Sequence, residues 1–174
     1  MRRIIAVIEL LTESIGGLAA LVVIPLVLAT CYEVFARYVF GAPTIWAFEL
    51  GYTLMGIHFL LGGALTLKKQ AHVRIDLIYS QLSVRKQAMI DVVLYTVLIL
   101  PALTLIFLRL ADYAGEAYIS GETTGQSAWN PPIWPLRMII AASFLLLTLQ
   151  VFAEILKCIG TLRRPEPVEE GTSL

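Results

Sequence analysis

Four long apolar runs separated by short polar stretches dominate the chain. They cover Ile15 to Phe35, Trp46 to Leu67, Ala88 to Leu108 and Ile133 to Leu156. A helix that crosses a bilayer needs about 20 mostly apolar residues, and each run meets that length. Each is also too long for a strand, and with no strands to close, a barrel is excluded. The pattern predicts an all-α integral membrane protein with four transmembrane helices, one domain over residues 1–162. The remaining residues, 163–174, are rich in Pro, Glu and small polar side chains and predict a flexible tail.

Before the first run, Met1-Arg2-Arg3 has the charge of a signal-peptide opening. Glu9, Thr12, Glu13 and Ser14 interrupt the apolar stretch that follows, and the unbroken run beyond them has the length of a span. A retained first span, preceded by a short amphipathic helix, is expected.

Composition agrees with this reading. The chain is 58% hydrophobic and 15% charged, against about 25% charged in ordinary soluble domains. Formal net charge is zero, so bulk electrostatics offers no case for nucleic acid. The distribution of charge is more informative. Arg2, Arg3, Lys68, Lys69, Arg74, Arg85, Lys86, Lys157, Arg163 and Arg164 all fall on one side of the four spans, leaving Arg37, Arg109 and Arg137 on the other. The positive-inside rule then puts both termini in the cytoplasm. Cys31 and Cys158 come to opposite faces, so a disulfide between them is not expected.

The loops carry their own signals. Gly41 and Pro43 mark a turn in the first outer loop, and Trp46 fits an interfacial aromatic belt. Between the second and third spans, Leu77, Ile78 and Leu82 are helix-spaced opposite Arg74, Gln81 and Arg85. That spacing predicts a short interfacial helix, with Asp76 at its N-cap and Ser83 capping the third span. The second outer loop, Arg109 to Asn130, is the longest, and Pro131, Pro132 and Pro135 stiffen the entry to the fourth span.

Polar residues inside spans are costly and mark contacts or sites. Glu33 and Arg37 are spaced to pair at i, i+4, with Glu49 as an alternative partner for Arg37. Helical spacing puts Glu49, Tyr52, Thr53, Gly56 and Gly63 on one face, which suits close approach of another helix. His58 is the one histidine deep in a span. Bis-histidine haem needs two, so His58 is read as neutral and hydrogen-bonded within a helix contact. Pro25 and Pro101, midway along the first and third spans, are expected to kink them. The sequence carries no nucleotide-binding loop, metal-ligand spacing or nucleophile motif, and the chain reads as an accessory subunit, not an enzyme.

Several stretches then resemble the small membrane subunit, the DctQ type, of tripartite ATP-independent periplasmic (TRAP) transporters. They are Glu33-Val-Phe-Ala-Arg37-Tyr38-Val-Phe40-Gly41-Ala-Pro43, then Trp46 and Glu49, then His72-Val-Arg74-Ile-Asp76-Leu-Ile-Tyr79. Pro132-Ile-Trp134-Pro135 and Leu149-Gln150 extend the likeness to nearly the whole chain, while Val84 stands where the family commonly has Pro. The resemblance implies a small permease subunit of the bacterial inner membrane that scaffolds a large multi-span transport subunit. It further implies a periplasmic substrate-binding protein as partner, sodium held on the large subunit, no cofactor in this chain, and organic acids as cargo. Subunit or docking contacts are expected from Glu33, Arg37, Trp46, Glu49, Tyr52, Gly56, Gly63, His72, Arg74, Asp76, Glu116, Glu122 and Trp129, besides contact with membrane lipids. Two other readings are a small four-helix multidrug/proton antiporter and a haem-bearing anchor of a respiratory enzyme. The first wants a mid-membrane carboxylate in the first span, and the second wants a further histidine.

Overall fold

The computed structural model describes residues 2–69 and 82–162. Its elements are α1 (Arg2–Leu21), α2 (Val23–Val39), α3 (Ala47–Lys68), α4 (Val84–Leu94), a π-helical turn (Tyr95–Ile99), α5 (Leu100–Ser120) and α6 (Trp134–Leu162). These join into four helices long and apolar enough to cross a membrane: Arg2–Val39, Ala47–Lys68, Val84–Ser120 and Trp134–Leu162.

Two helices are far longer than the apolar runs alone predict. The separate N-terminal helix is absent. Instead α1 runs into α2, interrupted only at Val22, over 38 residues. Glu9, Thr12 and Glu13 do not end the helix, because they find partners inside the protein. The stretch from Arg109 to Ser120 is likewise helical, so the outer loop begins only at Gly121. There φ is +64°, and the left-handed backbone that glycine tolerates ends α5. Each of these helices is about 55 Å long at 1.5 Å per residue, against about 30 Å of hydrocarbon.

Both mid-span prolines leave a mark on the backbone. Pro25 has no N–H to give the Leu21 carbonyl. One turn before it, Val22 N–H bonds back to Ala19 at 3.2 Å, a three-residue step that breaks the α pattern. Pro101 is met differently. Leu100 N–H reaches the Tyr95 carbonyl, five residues back, and the π-turn takes in Val97, the carbonyl that Pro101 cannot bond. Ser83 does precede α4, but its hydroxyl makes no capping bond, contrary to the cap expected there. The predicted interfacial helix, with His72, Arg74 and Asp76, lies outside the described residues, as does the tail 163–174.

Helix α6 is the axis of the bundle and packs against α1, α3, α4 and α5. Its contacts are close because small residues line them. Ala19, Ala64, Ala114, Ala117 and Ala153 are all buried, while Leu18, Leu28, Phe59, Val97 and Ile119 face outward. Lipid tails solvate leucine as well as a protein core does, so packing selects small side chains for the interior. One larger apolar cluster, Leu67, Tyr95, Val151 and Ile155, fills the end of the bundle at which α3 finishes.

Among the described glycines Gly16 is the most tightly packed, since an added Cβ would lie 2.8 Å from the Leu65 side chain. Gly17, one residue on, has open space. Gly16→Leu should therefore destabilise the chain by about 1–3 kcal/mol, the usual range for overpacking. Gly17→Leu should be neutral. Thermal unfolding of both variants in detergent checks the contrast, and equal midpoints would refute the packing.

Candidate functional site

Polar groups gather at the two ends of the bundle. At the basic end, where α3 finishes in Lys68, they form a continuous network. Thr12 Oγ1 donates to Gln150 Oε1 at 2.9 Å, and both residues are fully buried. Gln150 Nε2 donates to Glu154 Oε1 at 2.8 Å. Lys157 Nζ reaches the same carboxylate oxygen at 2.7 Å and Glu9 Oε1 at 2.5 Å. Beside them Lys68 pairs with Glu13 at 2.8 Å and also donates to the Glu9 carbonyl at 3.3 Å. The network ties α1 to α3 and α6 where apolar contact alone provides little cohesion.

None of these residues is among the contacts expected from sequence, where Glu9, Thr12 and Glu13 figure only as interruptions of the first apolar run. The network's signal was nevertheless there. Glu9, Thr12, Glu13 and Gly16 recur at three- and four-residue steps in an otherwise apolar stretch, and Gln150, Glu154 and Lys157 do the same on α6. Two polar stripes of complementary charge on separate apolar helices want each other.

At the far end, Glu33 and Arg37 pair as predicted, with Arg37 Nε at 2.9 Å. The alternative partner, Glu49, is not used. Glu33 also accepts from Thr44 N–H at 2.8 Å and from the Thr44 hydroxyl. Thr44 Oγ1 in turn accepts from Ala47 N–H at the start of α3. Glu33 thus links α2, the turn at Gly41 and the entry to α3. Trp46 stacks on Tyr32 of α2, with centroids 5.9 Å apart.

A second far-end cluster closes the loop between α5 and α6. Arg137 is buried and grips both oxygens of Glu122, at 2.6 and 2.8 Å. Its Nη2 also donates to the Tyr113 hydroxyl at 2.6 Å. Behind the clamp the loop doubles back as a narrow hairpin. Thr123 and Pro132 form an antiparallel bridge, Ile133 N–H bonds the Glu122 carbonyl at 3.0 Å, and Gly125 N–H bonds Asn130 Oδ1 at 2.7 Å. Glu122 is therefore engaged within the chain, where sequence reasoning had it meeting a soluble partner. Trp129, at the hairpin tip, is exposed, and so is Glu116, which sits on α5 and not in a loop.

The expected face of α3 divides. Glu49 is fully buried and accepts from Thr124 Oγ1 of the hairpin at 2.8 Å, while its Oε2 has no partner among the described residues. That end of the face is sealed within the chain, and Tyr52 sits beside it, edge-on to Phe48. Farther along α3, positions Gly56, Gly62 and Gly63 have no covering atom among the described residues within 4 Å of an added Cβ. His58 Nδ1 lies 2.8 Å from the Ala19 carbonyl. A carbonyl only accepts, so Nδ1 carries the proton and the ring is held in a helix contact, as expected from sequence.

The family model for tripartite ATP-independent periplasmic transporters, DctQ component, matches residues 26–161. The chain belongs to this family. It is a small, multi-pass membrane subunit of a TRAP transporter, a transport component and not a member of an enzyme family. No curated protein matches the chain. The match takes in both far-end clusters, the open glycines of α3 and the α6 half of the basic-end network. Glu9, Thr12 and Glu13 stand before its start, so the α1 half of that network lies outside the matched segment of this DctQ component.

Gln150 is the keystone of the basic-end network. Gln150→Leu should leave the buried Thr12 hydroxyl without its acceptor and take one donor from Glu154, which keeps Lys157, at a cost of about 1–3 kcal/mol, the penalty for a buried unsatisfied group. The chain's unfolding midpoint in detergent measures it, and an unchanged midpoint would count against the network. At the other end, Arg137→Gln should release the hairpin. Its cleavage by a protease between residues 121 and 133 should then outpace wild type while the helices stay intact.

Proposed function

We propose that this DctQ component is the fixed membrane scaffold of a sodium-driven, binding-protein-dependent importer of organic acids. Its basic end faces the cytoplasm of a bacterial inner membrane. A large multi-span subunit carries substrate and sodium, and a periplasmic binding protein delivers the acid. The uncovered glycine face of α3, Gly56 to Gly63, carries this reading. A helix face lined with glycine in a membrane protein favours a helix neighbour over lipid, and nothing among the described residues fills it. Glu33, Glu154 and Arg137 favour the same division of labour, because their charges are already bonded within the chain.

The projecting end of α5 supports a docking role. Asp112, Glu116 and Tyr118 are exposed on its last turns, and Tyr118 packs edge-on against Trp134. Charges at a rim set encounter rate and register, and aromatics anchor. Asp112 and Glu116 carry the docking charge in this reading, since Glu122 is held by Arg137.

Gly56→Leu should leave the chain's own unfolding midpoint unchanged and sharply lower its co-purification with the large subunit. Retained co-purification would refute the glycine face. Reversal of both Asp112 and Glu116 to Lys should slow uptake at limiting binding protein and alter its salt dependence without dissociating the membrane complex. Orientation is read by cysteine labelling in intact cells. Ser120→Cys should label from outside and Ser83→Cys should not, and the reverse pattern would overturn the topology.

A further inference from the structure

The first turns of α1 are built inside out. Ile8 and Thr12 are buried against the bundle. On the other side, Ile4, Val7, Leu10 and Leu11 are exposed, between 46% and 65% of each. Arg3 falls on the same outward arc, one turn from Val7, and both Arg2 and Arg3 are exposed.

The ion pairs show how deep this segment lies. Lys68 ends α3 and holds Glu13, so Glu13 stands level with the end of a 22-residue helix. That helix is about 33 Å long and by itself matches the hydrocarbon thickness. The eleven residues before Glu13, Arg2 to Thr12, run on past that level by about 16 Å. They pass from the edge of the hydrocarbon through the headgroup layer. Water is a poor solvent for four outward aliphatic side chains there, and the acyl–headgroup boundary is a good one.

Charge selects the lipid. The acids on this stretch are taken internally, Glu9 by Lys157 and Glu13 by Lys68. Arg2 and Arg3 are exposed and make no ion pair among the described residues. An exposed apolar arc with unpaired cations at its outer end is complementary to an anionic phospholipid.

We propose that the first three turns of α1 are an interfacial anchor that selects anionic phospholipid in the leaflet at the basic end. Arg2 and Arg3 take the headgroup phosphate, and Ile4, Val7, Leu10 and Leu11 lie along the acyl–headgroup boundary. The anchor adds a lipid-specific contact to the scaffold role. It rests on that role only for naming the leaflet as the cytoplasmic one.

The test uses the full chain with phosphatidylglycerol and phosphatidylcholine as probes. Wild type should retain phosphatidylglycerol over phosphatidylcholine in native mass spectrometry and gain thermal stability from it. The Arg2→Gln, Arg3→Gln double variant should lose that preference by about thirty-fold, the two-charge value for basic side chains at an anionic surface. Ile4→Ser with Val7→Ser should weaken binding of both lipids alike. Glycerol phosphate, which has the anion without the chains, should not compete. An unchanged preference in the arginine variant, or full competition by glycerol phosphate, would overturn the anchor. So would shielding of Val7→Cys from a bilayer-soluble maleimide in the assembled transporter, since a protein neighbour would then own this face. None of these readouts depends on transport, so failure of the anchor and failure of the scaffold reading are separable.

Discussion

A buried polar side chain within or at the edge of the hydrocarbon layer needs a protein partner, and the architecture of this subunit follows from that constraint. Helix α6 meets it at both ends. Near one end Gln150, Glu154 and Lys157 gather Thr12 and Glu9 of α1. Near the other Arg137 gathers Glu122 and Tyr113. Between them the buried side chains of α6 are Ala141, Ser143 and Leu146, whose packing fixes spacing but gives little directional preference. The polar groups therefore set which helices adjoin and in what register, and small residues then allow the close approach.

The same constraint explains where the backbone departs from ideal helix. Pro25 and Pro101 each remove a donor in a medium that cannot replace it. The chain responds with a three-residue hydrogen bond at Val22 and a π-turn before Leu100. The His58 ring then bonds the Ala19 carbonyl, which belongs to the irregular turn at Val22. A local backbone defect and a polar side chain on the neighbouring helix thus answer one another.

For a transport subunit the arrangement separates two tasks. Internal bonds absorb the membrane-embedded charges and hold the bundle in one shape. Uncovered surface remains on the glycines of α3, on the projecting end of α5 and on the first turns of α1. Those surfaces face, in the proposed assembly, a membrane partner, a soluble partner and lipid. A rigid body with specialised outer faces is what a stationary scaffold requires.

The sequence by itself determined the four crossings, the charge bias between the two ends, the Glu33–Arg37 pair and the accessory character of the chain. Each depends on local composition or short spacing, which the bilayer reads directly. His58 as a helix-contact residue was legible too, because no second histidine competes for it. Only the tertiary structure decided the rest. Glu9, Thr12 and Glu13 look like breakers until Gln150 and two lysines from other helices satisfy them. Glu122 looks like a free surface charge until Arg137, fifteen residues away, closes on it. Glu49 looks like one end of a shared face until the hairpin folds Thr124 over it. In each case the deciding partner is distant in sequence. Hydropathy along a single helix measures how a residue meets lipid, and says nothing of which neighbour takes lipid's place.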